Sequence, residues 1–566
     1  MTKRRLLSIL LVLAMVFSLA ACKKEETKVE TEAATTAAVA ETTKAPETTA
    51  APEETKPEVK EPLEMIHPEI DQLNVYETAK AKDKEAYVAY GITCQTVSLD
   101  DDEAEQYPEL NKALEEATEA RRKYAKDTLV DLKAQAADIA EYRNEEDYYD
   151  YLSSDFSEYI LRSDNRVLSI HTSYTDYWGG AHGYYFDFGT AYDVKTGEEI
   201  ELIDVVADQE GFKAAVKAEI EDYYDKEYHE YIDFETAMAF IDGFFGEGDY
   251  AGKSIDMGWT LGYNGVTVYF YPYSLGAYAM GQPTATVTFA EYPGVLNEEY
   301  AEIPANYISQ IERWVPQYYD IDGDGKNEEI TAYVDIENYE DYDAYTDMCI
   351  VIDGKENHFG TYTFENYELY LCVIGKKSYI YLNNRAENDY RYLRIYEITD
   401  GRVTETGMYQ GYPASLGYAA GEMEIDNEVV DYYIDYHAAF VDPDYMLLSS
   451  RLDALGTYDA LRFCKVGADG IPTGGELYFP VSDITLTVKK TFELTTSDEK
   501  GTDTGEPYPV NPGETLTIFA TNGEDKIILQ AENGDFLLGY INREEWPYRI
   551  NYYPEDEVLD GIVYAG

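Results

Sequence analysis

Residues 166–193 read RVLSIHTSYTDYWGGAHGYYFDFGTAYD, and this stretch decides the expected fold. Its two ends, residues 166–175 and 184–193, are rich in β-branched and aromatic residues, which is typical of strands. A short loop with three glycines, at residues 177–183, joins them. We therefore expect two neighbouring strands connected through this loop.

The flanking segments add helices to these strands. Pro108 begins a helical pattern that runs to about residue 142, and an earlier strand at 87–97 follows a polar lead-in. After a Lys-Thr-Gly turn at 195–197, the sequence gives a short strand (199–202), two helical segments (around 212–223 and 234–245) and three strands (259–261, 266–271, 284–289). This irregular alternation predicts an α+β domain with an antiparallel sheet over residues 63–300.

The rest of the chain has a β pattern. Residues 301–475 contain short strands at close spacing, at 329–334, 348–352, 369–374, 378–382 and 392–398. Residues 476–566 give four more, at 485–489, 515–521, 526–530 and 536–541, separated by Gly and Asn-Gly turns. We expect mainly β domains in both regions, and the strand pattern of the last, small one is similar to that of barrel-like bacterial SH3 domains.

The N-terminal residues have the pattern of an export signal. Lys3, Arg4 and Arg5 precede an apolar run over residues 6–19, and small residues lead into Cys22. Leu19-Ala20-Ala21-Cys22 resembles the bacterial lipobox, which implies cleavage after residue 21 and acyl chains on Cys22; the alternative is an ordinary secretory signal. Residues 22–62 are Thr-, Ala-, Glu- and Pro-rich, which predicts a disordered tether on the outer face of a membrane.

The composition limits the partners. The formal net charge is −67, so the phosphates of a nucleic acid would be repelled. A basic protein or a divalent cation would be attracted, although a strong negative charge also serves solubility alone. The chain has 57 tyrosines against 19 phenylalanines, which favours β structure with amphipathic surfaces.

The most specific chemical motif is DIDGDGKNE at residues 320–328. Carboxylates at alternating positions and a glycine at the sixth position are typical of calcium loops. We expect a structural Ca²⁺ held by Asp320, Asp322, Asp324, the carbonyl of Lys326 and Glu328. The alternative is an acidic turn without an ion, since a strand rather than an EF-hand helix follows.

No pattern of catalytic residues stands out. His182 is the best single candidate, but the six histidines form no metal-binding spacing. A hydrogen-bonding role in its loop is the favoured interpretation. The internal cysteines match no zinc pattern; Cys349 and Cys372 lie in two strand-like segments, where either a disulfide or buried thiols are open.

Three segments together resemble a known family. The Gly-Gly-Ala-His loop, residues 192–200 (YDVKTGEEI) and residues 268–281 (VYFYPYSLGAYAMG) are similar to the extracellular domain of the anti-sigma factor RsiV. The same domain precedes the catalytic part of PdaC-type peptidoglycan deacetylases. The resemblance covers residues 85–295 and implies an envelope-facing binding domain, which in RsiV binds lysozyme. The transmembrane helix of RsiV and the deacetylase motifs have no counterpart here.

These observations favour a non-enzymatic lipoprotein that binds an envelope ligand, such as lysozyme, another basic wall hydrolase or peptidoglycan. The resemblance makes Gly179, Gly180 and His182 the candidate ligand-binding residues. One alternative is an enzyme acting on a cell-wall polymer through His182. Another is a calcium-stabilised structural or adhesion protein.

Overall fold

The computed structural model describes residues 63–82, 86–142, 151–224, 226, 228–338, 343–359, 367–385, 391–426 and 428–565. The expected signal peptide, Cys22 and the tether lie outside these residues. Leu63–Gly566 form one compact unit. Within the described ranges, no helix is both long and apolar enough to cross a membrane.

The first part of the unit is a sheet covered by a long helix. Its elements are β1 (Glu69–Lys80), β2 (Tyr87–Ser98), α1 (Asp101–Gln106), α2 (Pro108–Tyr142), β3 (Tyr151–Ser163), β4 (Val167–Tyr177), β5 (Tyr184–Asp193) and β6 (Glu199–Ile200). Helix α2 has the predicted bounds, and its buried Leu129 and Leu132 pack with Ile92 of β2. Because α2 carries the chain back across the sheet, β2 and β3 pair in parallel. The other pairs along this path are antiparallel.

A helical layer and a small sheet follow. The elements are α3 (Leu202–Val205), α4 (Gln209–Tyr223), the 3₁₀ turn His229–Tyr231, α5 (Phe234–Phe244), β7 (Met257–Leu261), β8 (Gly265–Phe270), the 3₁₀ turn Tyr278–Met280, β9 (Thr284–Thr288) and the 3₁₀ turn Glu298–Tyr300. Alternate residues of the three strands, such as Val266 and Val268, pack with Phe212 of α4 in one core. The opposite face of the sheet is therefore left with threonines, including Thr267 and Thr286.

A two-sheet β region comes next. Its strands are β10 (Asn306–Ile311), β11 (Gln317–Tyr319), β12 (Glu328–Asn338), β13 (Asp343–Ile352), β14 (Lys355–His358), β15 (Tyr367–Ile374), β16 (Lys377–Arg385), β17 (Arg391–Thr399) and β18 (Arg402–Gln410). They form one sheet in the order β11–β12–β13–β14 and another in the order β10–β15–β16–β17–β18. Ile350 of the first sheet and Leu371 of the second share a core.

The four cysteines of the described residues do not form disulfides. Cys94, Cys349, Cys372 and Cys464 are all buried free thiols. Cys349 lies on β13 and Cys372 on β15, in different sheets. Since the residues next to each of them enter the core shared by the two sheets, both cysteines lie on the sides facing away from it. Of the two interpretations that the sequence leaves open, buried thiols are the correct one.

The next strands are β19 (Tyr412–Pro413), β20 (Ser415–Ile425), β21 (Glu428–Ala438), β22 (Met446–Asp453), β23 (Thr457–Val466), β24 (Pro472–Gly474) and β25 (Phe479–Pro480). Strands β20 and β21 form a hairpin that belongs to the first sheet rather than to the sheet of β19, β22, β23 and β24. In the first sheet, β21 pairs with β1. The buried Asn74 of β1 donates to the carboxylate of Asp435 at 3.1 Å across this junction. The first sheet therefore has eight strands, in the order β20–β21–β1–β2–β3–β4–β5–β6.

The last region is a further β module. It contains β26 (Thr485–Val488), β27 (Phe492–Ser497), β28 (Asp503–Val510), β29 (Thr515–Thr521), β30 (Lys526–Ala531), β31 (Phe536–Asn542), β32 (Arg549–Ile550), β33 (Tyr553–Pro554), α6 (Glu555–Val558) and β34 (Leu559–Asp560). Its strands enclose a core that includes Leu516, Ile527 and Leu537. The expected fold class, an α+β part followed by mainly β regions, is confirmed.

Candidate functional site

The loop between β4 and β5 is held at its base by one carboxylate. Asp176 accepts hydrogen bonds from the backbone N–H of Tyr184 at 3.2 Å and the indole N–H of Trp178 at 3.1 Å. Gly179 and Gly180 have φ angles of 88° and 116°, which side chains rarely adopt, so glycine is required to turn the chain here. The fixed base leaves the tip of the loop, including His182, exposed to solvent.

His182 lies against the segment that follows β8. Its ring stacks on Tyr278 with the centroids 4.0 Å apart, and its Nε2 is 3.3 Å from the hydroxyl of Tyr273. Tyr278 also donates to the carbonyl of Gly183 at 3.0 Å. The structure thus brings together the Gly-Gly-Ala-His loop and residues 268–281, which are far apart in the sequence. Tyr185 adjoins Tyr278 edge-on, with the ring centroids 6.2 Å apart. We call the group His182, Tyr185, Tyr273 and Tyr278 the His182 surface.

More aromatic residues adjoin this surface. Tyr224, at the end of α4, donates to the carbonyl of Met280 at 2.9 Å, which fixes α4 against the same segment. Its neighbour Tyr223 contacts it edge-on at 4.9 Å and is 57% exposed. Tyr273 is 58% exposed. Several large rings are therefore available to a partner, with their hydroxyls at the rim.

The charge next to the His182 surface is negative. Burial raises the pKa of the Tyr185 hydroxyl, and the neighbouring Tyr278 and Asp187 raise it further. Within the described residues, the ring of His182 hydrogen-bonds with Gly183 and Tyr273 rather than with a carboxylate.

A different histidine has the strongest electrostatic environment. His171 of β4 is fully buried, with Nδ1 2.6 Å from Oε1 of Glu312 and Nε2 3.0 Å from Oδ1 of Asp187. Its ring stacks on Tyr269 at 5.2 Å and an interplanar angle of 4°. Burial alone would lower the pKa of His171, but the two carboxylates outweigh burial and raise it to about 10. His171 is therefore an imidazolium at neutral pH.

His171 has no recognisable motif in the sequence, because its partner Glu312 follows it by 141 residues. One local signal exists. The hairpin places His171 opposite Gly189, so Asp187 on the same strand lies diagonally across from the histidine.

The expected calcium loop lies between β11 and β12. Carboxylate oxygens of Asp320, Asp322 and Glu328 lie within 4.8 Å of one another, the spacing that a shared cation requires. Asp324 is outside this group, and its Oδ1 accepts from the backbone N–H of Lys326 at 2.8 Å. Asp320 accepts from the backbone N–H groups of Gly323 and Gly325, which curls the loop.

One cysteine has a histidine beside it. The Sγ of Cys349 is 4.0 Å from Nε2 of His358, whose Nδ1 is 2.9 Å from Asp347. Burial raises the pKa of the Cys349 thiol, whereas a nucleophilic cysteine needs a lowered one. This arrangement is therefore better explained as packing on the β13–β14 hairpin than as a catalytic site.

The part of the chain after the His182 loop is a module of two main helices on one face of a three-stranded antiparallel sheet. Residues 204–290 match the family described as "Protein of unknown function (DUF3298)". The chain therefore contains a DUF3298 domain, which supplies Tyr273 and Tyr278. None of the curated proteins is significantly similar to this chain.

Two solved structures of this family are among those that are similar. A DUF3298 family member from Bacteroides fragilis is 17% identical, covers 42% of this chain and 98% of its own, and has a TM-score of 0.31. A DUF3298 family protein from Pseudomonas aeruginosa is 14% identical, covers 42% of this chain and 95% of its own, and has a TM-score of 0.24.

Proposed function

We propose that this chain is a lipid-anchored, non-enzymatic protein of the bacterial cell envelope that binds a basic protein through the His182 surface. The observation that carries the proposal is the contact of His182 with Tyr273 and Tyr278. Two of the three segments that resemble the RsiV extracellular domain, the Gly-Gly-Ala-His loop and residues 268–281, form one exposed surface. The third, residues 192–200, lies at the other end of β5, where Tyr192 packs with Leu110 of α2. A resemblance spread over separate segments has functional weight when these segments meet in space.

Exposed aromatic side chains support a protein partner. Tyrosine gives a large contact area at a small cost in side-chain entropy, and its hydroxyl remains able to bond at a wet interface. Tyr278 is already held between His182 and the Gly183 carbonyl, so little ordering is required on binding. Interfaces commonly depend on a few such anchors.

Charge supports a basic partner. The net charge of −67 attracts a basic protein over a long range, and Asp187 places negative charge next to Tyr185 of the His182 surface. Lysozyme is the specific candidate, because the resemblance to RsiV implies it. Affinity should then fall as the salt concentration rises.

The test measures lysozyme binding to the whole mature chain by surface plasmon resonance. The whole chain is needed because the β20–β21 hairpin completes the sheet to which the His182 loop belongs. We expect binding at low ionic strength and at least a tenfold loss, about 1.4 kcal/mol, in Tyr278→Ala. Tyr552→Ala is the matched control, since Tyr552 is 88% exposed in the C-terminal region.

Two results would contradict the proposal. One is the absence of lysozyme binding at low salt together with no binding of other basic wall hydrolases. The other is an equal effect of Tyr278→Ala and Tyr552→Ala, which would mean that charge acts without the His182 surface. A wall-digesting activity lost in His182→Ala would favour the enzymatic alternative instead.

The anchor and the ion are separate parts of the proposal. Cys22 attaches the chain to the outer face of the membrane, so Cys22→Ser should move the protein from the membrane fraction to the soluble fraction. Asp320, Asp322 and Glu328 hold a Ca²⁺ that stiffens the turn before β12. If the experiments confirm the lipid anchor and the Ca²⁺ site but not the binding of a basic protein, a structural or adhesion role is the better description.

A further inference from the structure

A cavity of about 60 Å³ lies between the threonine face of the β7–β9 sheet and the residues around β10 and β11. Apolar residues such as Leu161 and Val315 form part of its wall, and hydroxyl-bearing residues form another part, with Thr260, Thr267 and Thr286 from the sheet and Ser309 and Tyr319 from the other side. The cavity is separate from the His182 surface. Clefts between packed sheets with a few convergent polar groups are frequent ligand sites.

One group in the wall has an unused hydrogen-bonding atom. Asn264 is 7% exposed, and its Nδ2 donates to the carbonyl of Tyr318 at 2.6 Å. This bond fixes the amide, whose Oδ1 has no hydrogen-bond partner among the described residues. A buried acceptor without a donor is costly, so the site favours a ligand that brings an N–H or O–H.

The wall carries negative charge. Glu312 is the charged residue among the described residues that line the cavity. The carboxylate of Glu312 contacts His171, and the same histidine also contacts Asp187. The group of one imidazolium and two carboxylates therefore has a net charge of minus one. An anion would be repelled here, while a cation would neutralise the excess charge.

The surroundings of Tyr318 add to this charge. Its hydroxyl donates to Oε2 of Glu329 at 3.4 Å. A carboxylate next to a lining residue raises the local concentration of cations.

The volume of the cavity limits the size of a ligand, and the aromatic rings in its wall favour a positive charge. A volume of 60 Å³ holds roughly four to six water-sized groups. Tyr263, Tyr269 and Tyr318 line it, and tyrosine rings attract cations. The ring of Tyr269 already faces the His171 imidazolium and that of Tyr263 the Arg162 guanidinium, so Tyr318 is the ring of the three that would face the ligand. We propose that this cavity binds a small protonated amine, either as a free molecule or as the end of a peptide side chain.

The test is calorimetric titration of the full chain with ethanolamine, and separately with Nα-acetyl-lysine methylamide as the peptide-borne amine. Binding of the first alone assigns a free amine, and binding of both assigns a side-chain terminus as well. Ethylene glycol, a neutral analogue of similar size, and acetate should give no heat. Saturation by ethylene glycol at the same concentrations, or no heat with either amine, would overturn the proposal.

Variants locate the binding. Glu312→Gln should weaken amine binding by at least about tenfold, since it removes a charge-assisted hydrogen bond. Glu493→Gln makes the same change of charge at an exposed position in the C-terminal region and should have no effect. If Glu312→Gln does not fold, Thr267→Val combined with Thr286→Val removes a mutually hydrogen-bonded pair of hydroxyls from the wall. Unchanged affinity in that double variant, or in a folded Glu312→Gln, refutes the assignment.

Discussion

Replacing His171 with glutamine should destabilise the first sheet, and the loss should depend on pH. The folded protein holds His171 between Glu312 and Asp187, with Glu158 also nearby and Tyr159 and Tyr269 on its ring faces. Glutamine keeps a donor but removes the positive charge. The two carboxylates would then remain largely buried, with side-chain exposures of 12% and 18%, without a counter-charge.

The magnitude follows from the pKa. The value rises from 6.5 in the unfolded chain to about 10 in the folded one. A raised pKa means that the folded state binds the proton more tightly, so the stabilisation is complete below pH 6.5 and disappears as the pH rises to about 10. A shift of this size corresponds to about 5 kcal/mol. Breaking a buried ion pair by removing one partner costs a similar 3–5 kcal/mol or so.

Hydrogen–deuterium exchange of peptides from β4 and β5 measures this effect locally, after correction for the pH dependence of chemical exchange. In the unmodified protein the opening free energy should fall between pH 7 and pH 9, whereas His171→Gln should be less protected and nearly independent of pH. His358→Gln is the control, because His358 also pairs with a carboxylate, Asp347, but is exposed. Equal pH slopes in the unmodified protein and His171→Gln would refute the reasoning.

Three further predictions concern other parts of the chain. Asp322→Asn should weaken Ca²⁺ binding in calorimetric titration while Asp324→Asn should not, because only Asp322 belongs to the converging group; equal effects would contradict this geometry. Gly258→Ala should lower stability by about 1–3 kcal/mol, since its Cβ would lie 2.2 Å from the carbonyl oxygen of Asp187. Gly475→Ala, with open space around it, is the matched control in urea unfolding. The four internal thiols should react with a thiol reagent only after unfolding, and rapid labelling of the native protein would contradict their burial.

Elements with a strong local pattern are predictable from the sequence. The bounds of α2, β5 and β29 agree with the expectations because helical spacing, or a strand closed by turn residues, is contained in the segment itself. Strand β1 is different. The sequence predicts only a polar lead-in here, because the buried Asn74 interrupts the apolar pattern and its partner, Asp435, lies in a distant hairpin.

The candidate site is predictable only where its residues form a local motif, and not where they depend on distant partners. The sequence identifies His182 and residues 268–281, but only the fold shows that Tyr273 and Tyr278 touch the histidine. His171 was missed because its charge depends on Glu312, which tertiary packing brings to it. In the calcium loop, the sequence predicts four side-chain ligands, and the carboxylates of three of them, Asp320, Asp322 and Glu328, converge.

The pairing of β1 with β21 sets a condition on how the protein is made. Asn74 and its partner Asp435 are 361 residues apart. At ordinary rates of synthesis, roughly 20 to 70 seconds pass before the second strand exists. During that time one edge of β1 is an open template for other chains, and edges of this kind promote aggregation. We expect a nascent chain that ends before residue 438 to need a chaperone until the hairpin arrives.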